Sequence, residues 1–443
     1  MIENAFDYAS QLPAPRHHRL GQSMSVAKAL ELIPDHSRVY VTPFSGVPTE
    51  LIDAMAERRH QWTHIEAVFD YLLHPLAIFE QPGDVFKYTT LQVTRAVKGL
   101  VDHDDQAGHG AERVLRVIPA ALSQFAKLLS PGGFVAPDVA LVQVSLPGPG
   151  GRFSLGVCGG TTAEVVRSAP IVIAEVNPAM PYTRGVTECD RHDFDALVEV
   201  EHPLPELVAA QRSEVATQIG AHVAGLIGDA ITLEYGIGAI PDAVLSSLGD
   251  RSDLGLHSGM LGDGVIDLIE SGVMNGRLKS VDAGFHVAAV LAGSQRLFDW
   301  VDGRQDVIMV ASGYSHGAGA LCRQRRFTAL NSAVEVSLDG SVNAEMVGDR
   351  LVSGPGGQPD FALGAELADD GMAIVALPST AGRNRVSRIV SSIAPGRPTT
   401  VPRHLADRFV TEHGVASIKG NDLASRAEKL VSIADEAHRG DLL

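Results

Sequence analysis

Two runs of almost unbroken apolar residues, Asp138-Val-Ala-Leu-Val-Gln-Val144 and Ile171-Val-Ile-Ala-Glu-Val176, constrain this chain more than any other feature. A strand that is apolar on both faces must be covered on both, which is the condition of a central strand in a parallel sheet flanked by helices. The same rhythm appears earlier: residues 38–42 form a β-branched run, a Pro/Gly turn follows, and residues 48–57 carry helical periodicity. Strand-like runs return at 230–235, 306–310 and 371–377, with helical patterns between them. The repeated order of strand, turn and helix is that of an α/β fold. The 45 glycines and 24 prolines suit the many tight turns that such a fold needs at the carboxyl ends of its strands.

Around Glu199-Val-Glu-His-Pro-Leu-Pro205 the apolar periodicity stops in an acidic, proline-containing stretch. A long helical pattern then starts near Pro205 and runs to about Gly228. The boundary is expected there, giving two open α/β domains of similar size, residues 1–204 and 205–443. A chain of 443 residues is long enough for two or three packed cores. There is no close internal repeat or low-complexity tract, and residues 421–437 read as a helix.

The chain carries 36 Lys and Arg against 53 Asp and Glu, a formal net charge of -17. No basic field is available to neutralise a phosphate backbone or an anionic lipid surface, so neither nucleic acid nor membrane is an expected partner. No stretch runs 18 residues without a polar interruption and the first 20 residues lack an apolar core, so a soluble, unprocessed cytoplasmic protein is expected. Cys158, Cys189 and Cys322 are widely spaced, with no C-x-x-C pair, which fits a reducing compartment. Cys158 and Cys322 sit among small or apolar residues and read as structural thiols. Asp263 and Asp267 lack histidines at ligand spacing, so no metal is expected.

The strongest local signals are two glycine turns at strand ends, Tyr235-Gly-Ile-Gly-Ala-Ile-Pro241 and Val352-Ser-Gly-Pro-Gly-Gly-Gln-Pro-Asp360. Such turns let backbone amides approach a ligand closely. In acyl transfer, an amide aimed at the oxyanion contributes about 3 to 4 kcal/mol. On spacing alone these glycines equally satisfy tight β-to-α connections.

Longer segments decide between these readings. Leu233-Glu-Tyr-Gly-Ile-Gly-Ala-Ile-Pro-Asp-Ala-Val-Leu245, followed by Asp253-Leu-Gly-Leu-His-Ser-Gly-Met-Leu-Gly-Asp-Gly264, resembles the acetyl-CoA hydrolase/transferase family, in particular its 4-hydroxybutyrate CoA-transferase-like branch. Further matching segments follow in the family's order: Ile173-Ala-Glu-Val-Asn-Pro-Ala-Met-Pro181, Asn331-Ser-Ala-Val-Glu-Val336, Ser353-Gly-Pro-Gly-Gly-Gln358, Leu377-Pro-Ser-Thr-Ala381 and Val410-Thr-Glu-His-Gly-Val-Ala416. The resemblance covers nearly the whole chain from about residue 38. It implies a pair of open α/β domains of the CoA-transferase type with the thioester site in the cleft between them. It also implies acyl-CoA and a small carboxylic acid as substrates, with coenzyme A as the carried group, and self-association as a homo-oligomer. Gly236, Ile237, Gly238, Gly356, Gly357, Ser379 and Thr380 are the positions it suggests for oxyanion and CoA binding.

The family's transferases attack the acyl-CoA with a glutamate and carry CoA as a glutamyl thioester. Its motif reads His, Ser or Thr, Glu, Met, and the equivalent positions here are His257, Ser258, Gly259 and Met260. No rotamer or pKa adjustment can restore a nucleophile at glycine. Three readings stand: an inactive acyl-CoA-binding or partner subunit, a different reaction of the bound thioester such as hydrolysis, or a transferase whose carboxylate comes from elsewhere. Glu234 stands where the family usually has Gln. Buried beside Ile231 and Ile237, it would be pushed toward the pKa of a general base; otherwise it hydrogen-bonds backbone amides as the Gln would. His316, among small residues, is either an acid/base near neutrality or an exposed loop histidine. Arg383 and Arg385 either bind phosphate or carboxylate or are ordinary surface arginines. His257 and Ser258 are adjacent on a strand and point to opposite faces, which argues against a Ser/His pair.

Overall fold

The computed structural model describes residues 4–12, 20–107, 112–207, 213–383 and 385–442. The chain forms two compact units: Met1–Leu207 with Ala288–Tyr314, and Val208–Val287 with Ser315–Leu443. The first is thus discontinuous in sequence: after Leu207 it takes back Ala288–Tyr314, a later segment that no local pattern announces.

In the first unit, eight strands form a parallel sheet in the order Gln22–Ser23, Ala196–Glu199, Ile171–Val176, Val139–Val144, Arg38–Val41, Ile65–Phe69, Phe86–Thr90 and Leu115–Val117. The two runs that read as doubly buried strands lie side by side, from Val139↔Ile171 to Val144↔Val176. All six residues of Val139–Val144 are buried. Helix Gly160–Ser168 is held to the sheet by the Tyr40 hydroxyl, which meets Thr161 Oγ1 at 3.1 Å and Thr162 Oγ1 at 2.9 Å.

In the second unit, strands Gly255–Leu261, Thr232–Tyr235, Phe327–Asn331, Met372–Ala376 and Arg408–Thr411 run parallel in that order, with Gly414–Ser417 antiparallel at the edge. After Thr232–Tyr235 the chain places its next strand on one side, and later returns with Phe327–Asn331 on the other. That reversal makes the carboxyl ends of these two strands a topological switch point, where open α/β sheets bind ligands.

The helix expected from Pro205 begins later. Residues 205–207 are irregular, residues 208–212 lie outside the described residues, and the helix is Glu214–Ala224. Ser213 sets its start: the side-chain oxygen accepts from Ala216 N at 3.1 Å and satisfies an orphan amide of the first turn. The helix expected over 421–437 is Leu423–Ser432, started by Asp422 accepting from Ser425 N. Among the described residues no helix is long and apolar enough to cross a membrane, and no cluster of three or more His, Cys, Asp or Glu is arranged to hold a metal ion.

Candidate functional site

Glu234 sits near the end of strand Thr232–Tyr235, at the switch point of the second unit's sheet. Side chains alternate along a strand, and Thr232 pairs with Gly255 on one side and with Phe327 on the other. Continuing both registers puts Glu234, His257, Gly259, Ala329 and Asn331 on one face. The contacts bear this out: Asn331 Nδ2 donates to Glu234 Oε2 at 2.8 Å. Glu234 is only 2% exposed. Burial raises its carboxyl to about 8, and the bonds from Asn331 and the Leu330 backbone pull it only part of the way down. Ile237, expected to help bury it, is itself 40% exposed, whereas Ile231 is 8% exposed.

His316 is not an exposed loop residue. It lies between the short helices Ser312–Ser315 and Ala318–Leu321 and is 2% exposed. Its Nδ1 is 2.8 Å from Ser315 Oγ, and its ring packs on Phe361 with centroids 4.6 Å apart. Phe361 belongs to helix Gln358–Leu367, which begins at the second glycine turn. Gly259 and Gly357 both lie against this imidazole. A Cβ on Gly259 would stand 2.8 Å from His316 Nε2, and one on Gly357 would stand 2.7 Å from the same atom.

His257 is fully buried. Its Nε2 faces the Ser315 carbonyl at 3.2 Å and its Nδ1 faces Gln324 Nε2 at 3.3 Å. Burial and the neighbouring Lys279 hold it down at about 3, so it is a neutral imidazole with the proton on Nε2. Lys279, itself lowered to about 7 by burial, donates to the Leu256 and Phe285 carbonyls at 2.9 Å each. Ser258 turns to the opposite face and meets the Tyr235 carbonyl at 3.4 Å. The two residues do not form a pair.

Gly259 and Gly357 thus meet at His316, while Glu234 and Gly236 meet at Asn331 on the adjoining strand of the same sheet. The structure corrects several other expectations. The Gly236 amide donates to Leu330 O at 3.0 Å as part of the sheet, so it is not an oxyanion donor. Ile237 and Gly238 continue the turn, with Gly238 at φ 131° ahead of helix Ala239–Leu245, and Gly356 adopts φ 59°. Ser379 is fully buried, and both its donors are committed to Glu412: N at 2.9 Å and Oγ at 2.7 Å. Thr380 lies in a small hairpin opposite Ser387. Arg383 is exposed. Arg385, its side chain 70% exposed, pairs at 2.5 Å with Asp435, whose side chain is 10% exposed.

Three residues were missed by sequence reasoning. Asn331, Ser315 and Phe361 touch the two central side chains, yet each belongs to an ordinary-looking stretch. Gln358, at the start of its helix, is buried with Nε2 lacking a protein partner. As for the cysteines, Cys158 and Cys189 are buried and Cys322 is partly so; all are free.

Residues 29–196 match the acetyl-CoA hydrolase/transferase N-terminal domain and residues 293–443 match the C-terminal domain of the same family. The chain is 35% identical over 426 residues to the 4-hydroxybutyrate coenzyme A transferase of Clostridium kluyveri, covering 95% of this chain and 96% of that protein. It is 30% identical over 402 residues to the succinyl-CoA:cyclohexane-1-carboxylate CoA transferase of Geobacter metallireducens, covering 90% and 88%. The crystal structure of RipA from Yersinia pestis superposes with a TM-score of 0.88 at 27% identity, over 95% of this chain and 96% of that one.

Proposed function

From the premise that the chain belongs to the acetyl-CoA hydrolase/transferase family, we propose that it acts on an acyl-CoA thioester without forming a covalent glutamyl-CoA intermediate. The observation that carries this reading is at Gly259, where the resemblance expects the nucleophilic glutamate: there is no side chain, and His316 Nε2 lies 2.8 Å from where a Cβ would be. Glu234 then serves as general base. Its raised pKa lets the carboxylate accept a proton near neutral pH, the condition for efficient base catalysis. The simplest reaction is hydrolysis. Glu234 takes a proton from water, the water oxygen bonds to the thioester carbonyl carbon, and the C–S bond breaks to release CoA. The turns at Ile237–Gly238 and Gly356–Gly357 supply the amides for the oxyanion; Gly236 does not, because its amide is bonded within the sheet.

A second reading is favoured by the same carboxyl group. Glu234 is a buried carboxylate at the switch point, and the relatives named above are CoA-transferases. In that case Glu234 itself attacks the thioester and an incoming carboxylic acid takes the CoA. One experiment separates the two: incubation with a panel of acyl-CoAs, with and without acetate, following free CoA and acyl exchange by mass spectrometry. Release of CoA without acceptor, lost in Glu234→Gln, is the expected result. Acyl exchange together with a hydroxylamine-sensitive enzyme adduct at Glu234 would overturn the non-covalent reading.

A further inference from the structure

Gly259 and Gly357 come from a strand and a helix start almost a hundred residues apart, yet one imidazole closes on both. The space beside Gly259 is bounded by His316 Nε2 at 2.8 Å, His316 Cε1 at 3.0 Å and Phe361 Cζ at 3.4 Å from an added Cβ. Beside Gly357 the same construction meets His316 Cδ2 and Nε2 at 2.7 Å and Phe361 Cε2 at 2.8 Å. Contacts under 3.0 Å are not tolerated by packed atoms, so a side chain at either position would displace the ring.

The ring cannot move freely. Ser315 Oγ holds Nδ1, Phe361 supports one face, and the Ser315 carbonyl is pinned from below by His257 Nε2. Gln324, accepting nothing at its buried Oε1, fixes His257 in turn through Nδ1. Of the atoms this scaffold presents beside the Gly259 backbone, the nearest and the one polar atom among the three is Nε2.

We propose that residues 259 and 316 form a mutually exclusive pair: the His316 imidazole takes the space a glutamate at 259 would need, and there it handles a proton instead of an acyl group. This deepens the reading above and rests on it for the substrate class, a thioester opened by water. When the imidazole carries both protons, Nδ1–H donates to Ser315 Oγ and the proton on Nε2 is the one that faces Gly259. As water adds to the carbonyl carbon and the C–S bond breaks, Nε2–H protonates the departing CoA sulfur, leaving a neutral imidazole. The proton that Glu234 took from water returns to Nε2 through solvent, so water and thioester become carboxylic acid and thiol with both groups restored. General acid assistance of this kind is worth roughly 100-fold or more in rate.

The test uses the full chain as wild type, Gly259→Glu, Gly259→Glu with His316→Ala, and His316→Gln. Incubated with acetyl-CoA, Gly259→Glu alone is expected to form no enzyme-CoA adduct, while the double variant gains the mass of CoA in a hydroxylamine-sensitive form. If Gly259→Glu fails to fold, the double variant is expected to recover a cooperative melt. Adduct formation by Gly259→Glu as readily as by the double variant would overturn the exclusion, as would a double variant that neither folds better nor loads. For the proton role, His316→Gln is expected to lower kcat for CoA release about 100-fold with little change in KM. An unchanged kcat would overturn it. Should the wild type release no CoA from any thioester, the hydrolytic reading of the site fails, and the adduct comparison still decides the exclusion.

Discussion

Asn331 Nδ2 lies 2.8 Å from Glu234 Oε2, across the point where the second unit's sheet reverses its strand order. The bond favours the ionised carboxylate, so it lowers a pKa that burial has raised to about 8. Removing it in Asn331→Ala leaves the desolvation unopposed by that donor, and the carboxyl should titrate at higher pH. A base must be deprotonated to work, so CoA release in the wild type should climb as pH rises through about 8. In Asn331→Ala the same limb should shift toward alkaline pH, and in Glu234→Gln it should vanish. A kcat/KM profile for acyl-CoA hydrolysis checks all three.

Arg385 offers a contrasting expectation. Its guanidinium is engaged with Asp435, and its side chain is 70% exposed. With the guanidinium open to solvent, an ion pair of this kind contributes about 0 to 1 kcal/mol even though the Asp435 side chain is only 10% exposed. Arg385→Ala should therefore leave KM for acyl-CoA unchanged and shift the unfolding midpoint only slightly. A large rise in KM would mean that the arginine leaves Asp435 to bind substrate.

What the sequence could and could not reveal follows from the range of the interactions involved. The strand Ile171–Val176 matches its expected bounds because burial on both faces is written into consecutive residues. Glu234 was visible too, as a carboxylate at a strand end. His316 was not visible as a buried group: its neighbours in sequence are Ser315 and Gly317, and what buries it are Gly259, Gly357 and Phe361, brought in by other elements. Ser379 and Arg385 looked like ligand-binding positions for the opposite reason. Their partners, Glu412 and Asp435, lie 33 and 50 residues away, and no spacing rule connects them.

In the first unit, Gly46 follows the strand Arg38–Val41 in a turn where Phe44 takes φ 53°. A Cβ on Gly46 would meet Cys158 Sγ and Thr42 Cγ2, both at 2.8 Å. Cys158 cannot easily withdraw, since its Sγ donates to Pro43 O at 3.2 Å. Gly46→Ala should cost about 1 to 3 kcal/mol, the usual effect of overpacking. Urea unfolding should show a lower midpoint at an unchanged slope. Cys158→Ala in the same chain should recover part of the loss, because the two sites share one contact and are not additive.

His202, in the acidic stretch that closes the first long segment, presents both ring nitrogens to acceptors. Nε2 is 3.1 Å from Glu175 Oε2, and Nδ1 is 3.1 Å from Pro203 O. A neutral imidazole can donate from only one nitrogen, so the arrangement favours the imidazolium. The Glu175 hydrogen bond is the main cause of the raised His202 pKa, with Glu50 adding to it. Glu175 is fully buried, and its other oxygen accepts from Leu51 N at 2.6 Å. Burial raises its pKa more than these partners lower it. For a histidine raised in the folded state, the stabilisation is complete below the unfolded value of 6.5 and is lost as pH rises through the folded value. A carboxyl raised in the folded state also loses folding stability as pH rises, starting from 4.5. Both groups therefore act in the same direction. Stability of the first unit should decline from mildly acid pH across neutrality. His202→Gln should be less stable than wild type at pH 6 and should approach it at pH 8, as read from denaturant midpoints at the two pH values. Equal deficits at both pH values would show that His202 contributes by packing and not by charge.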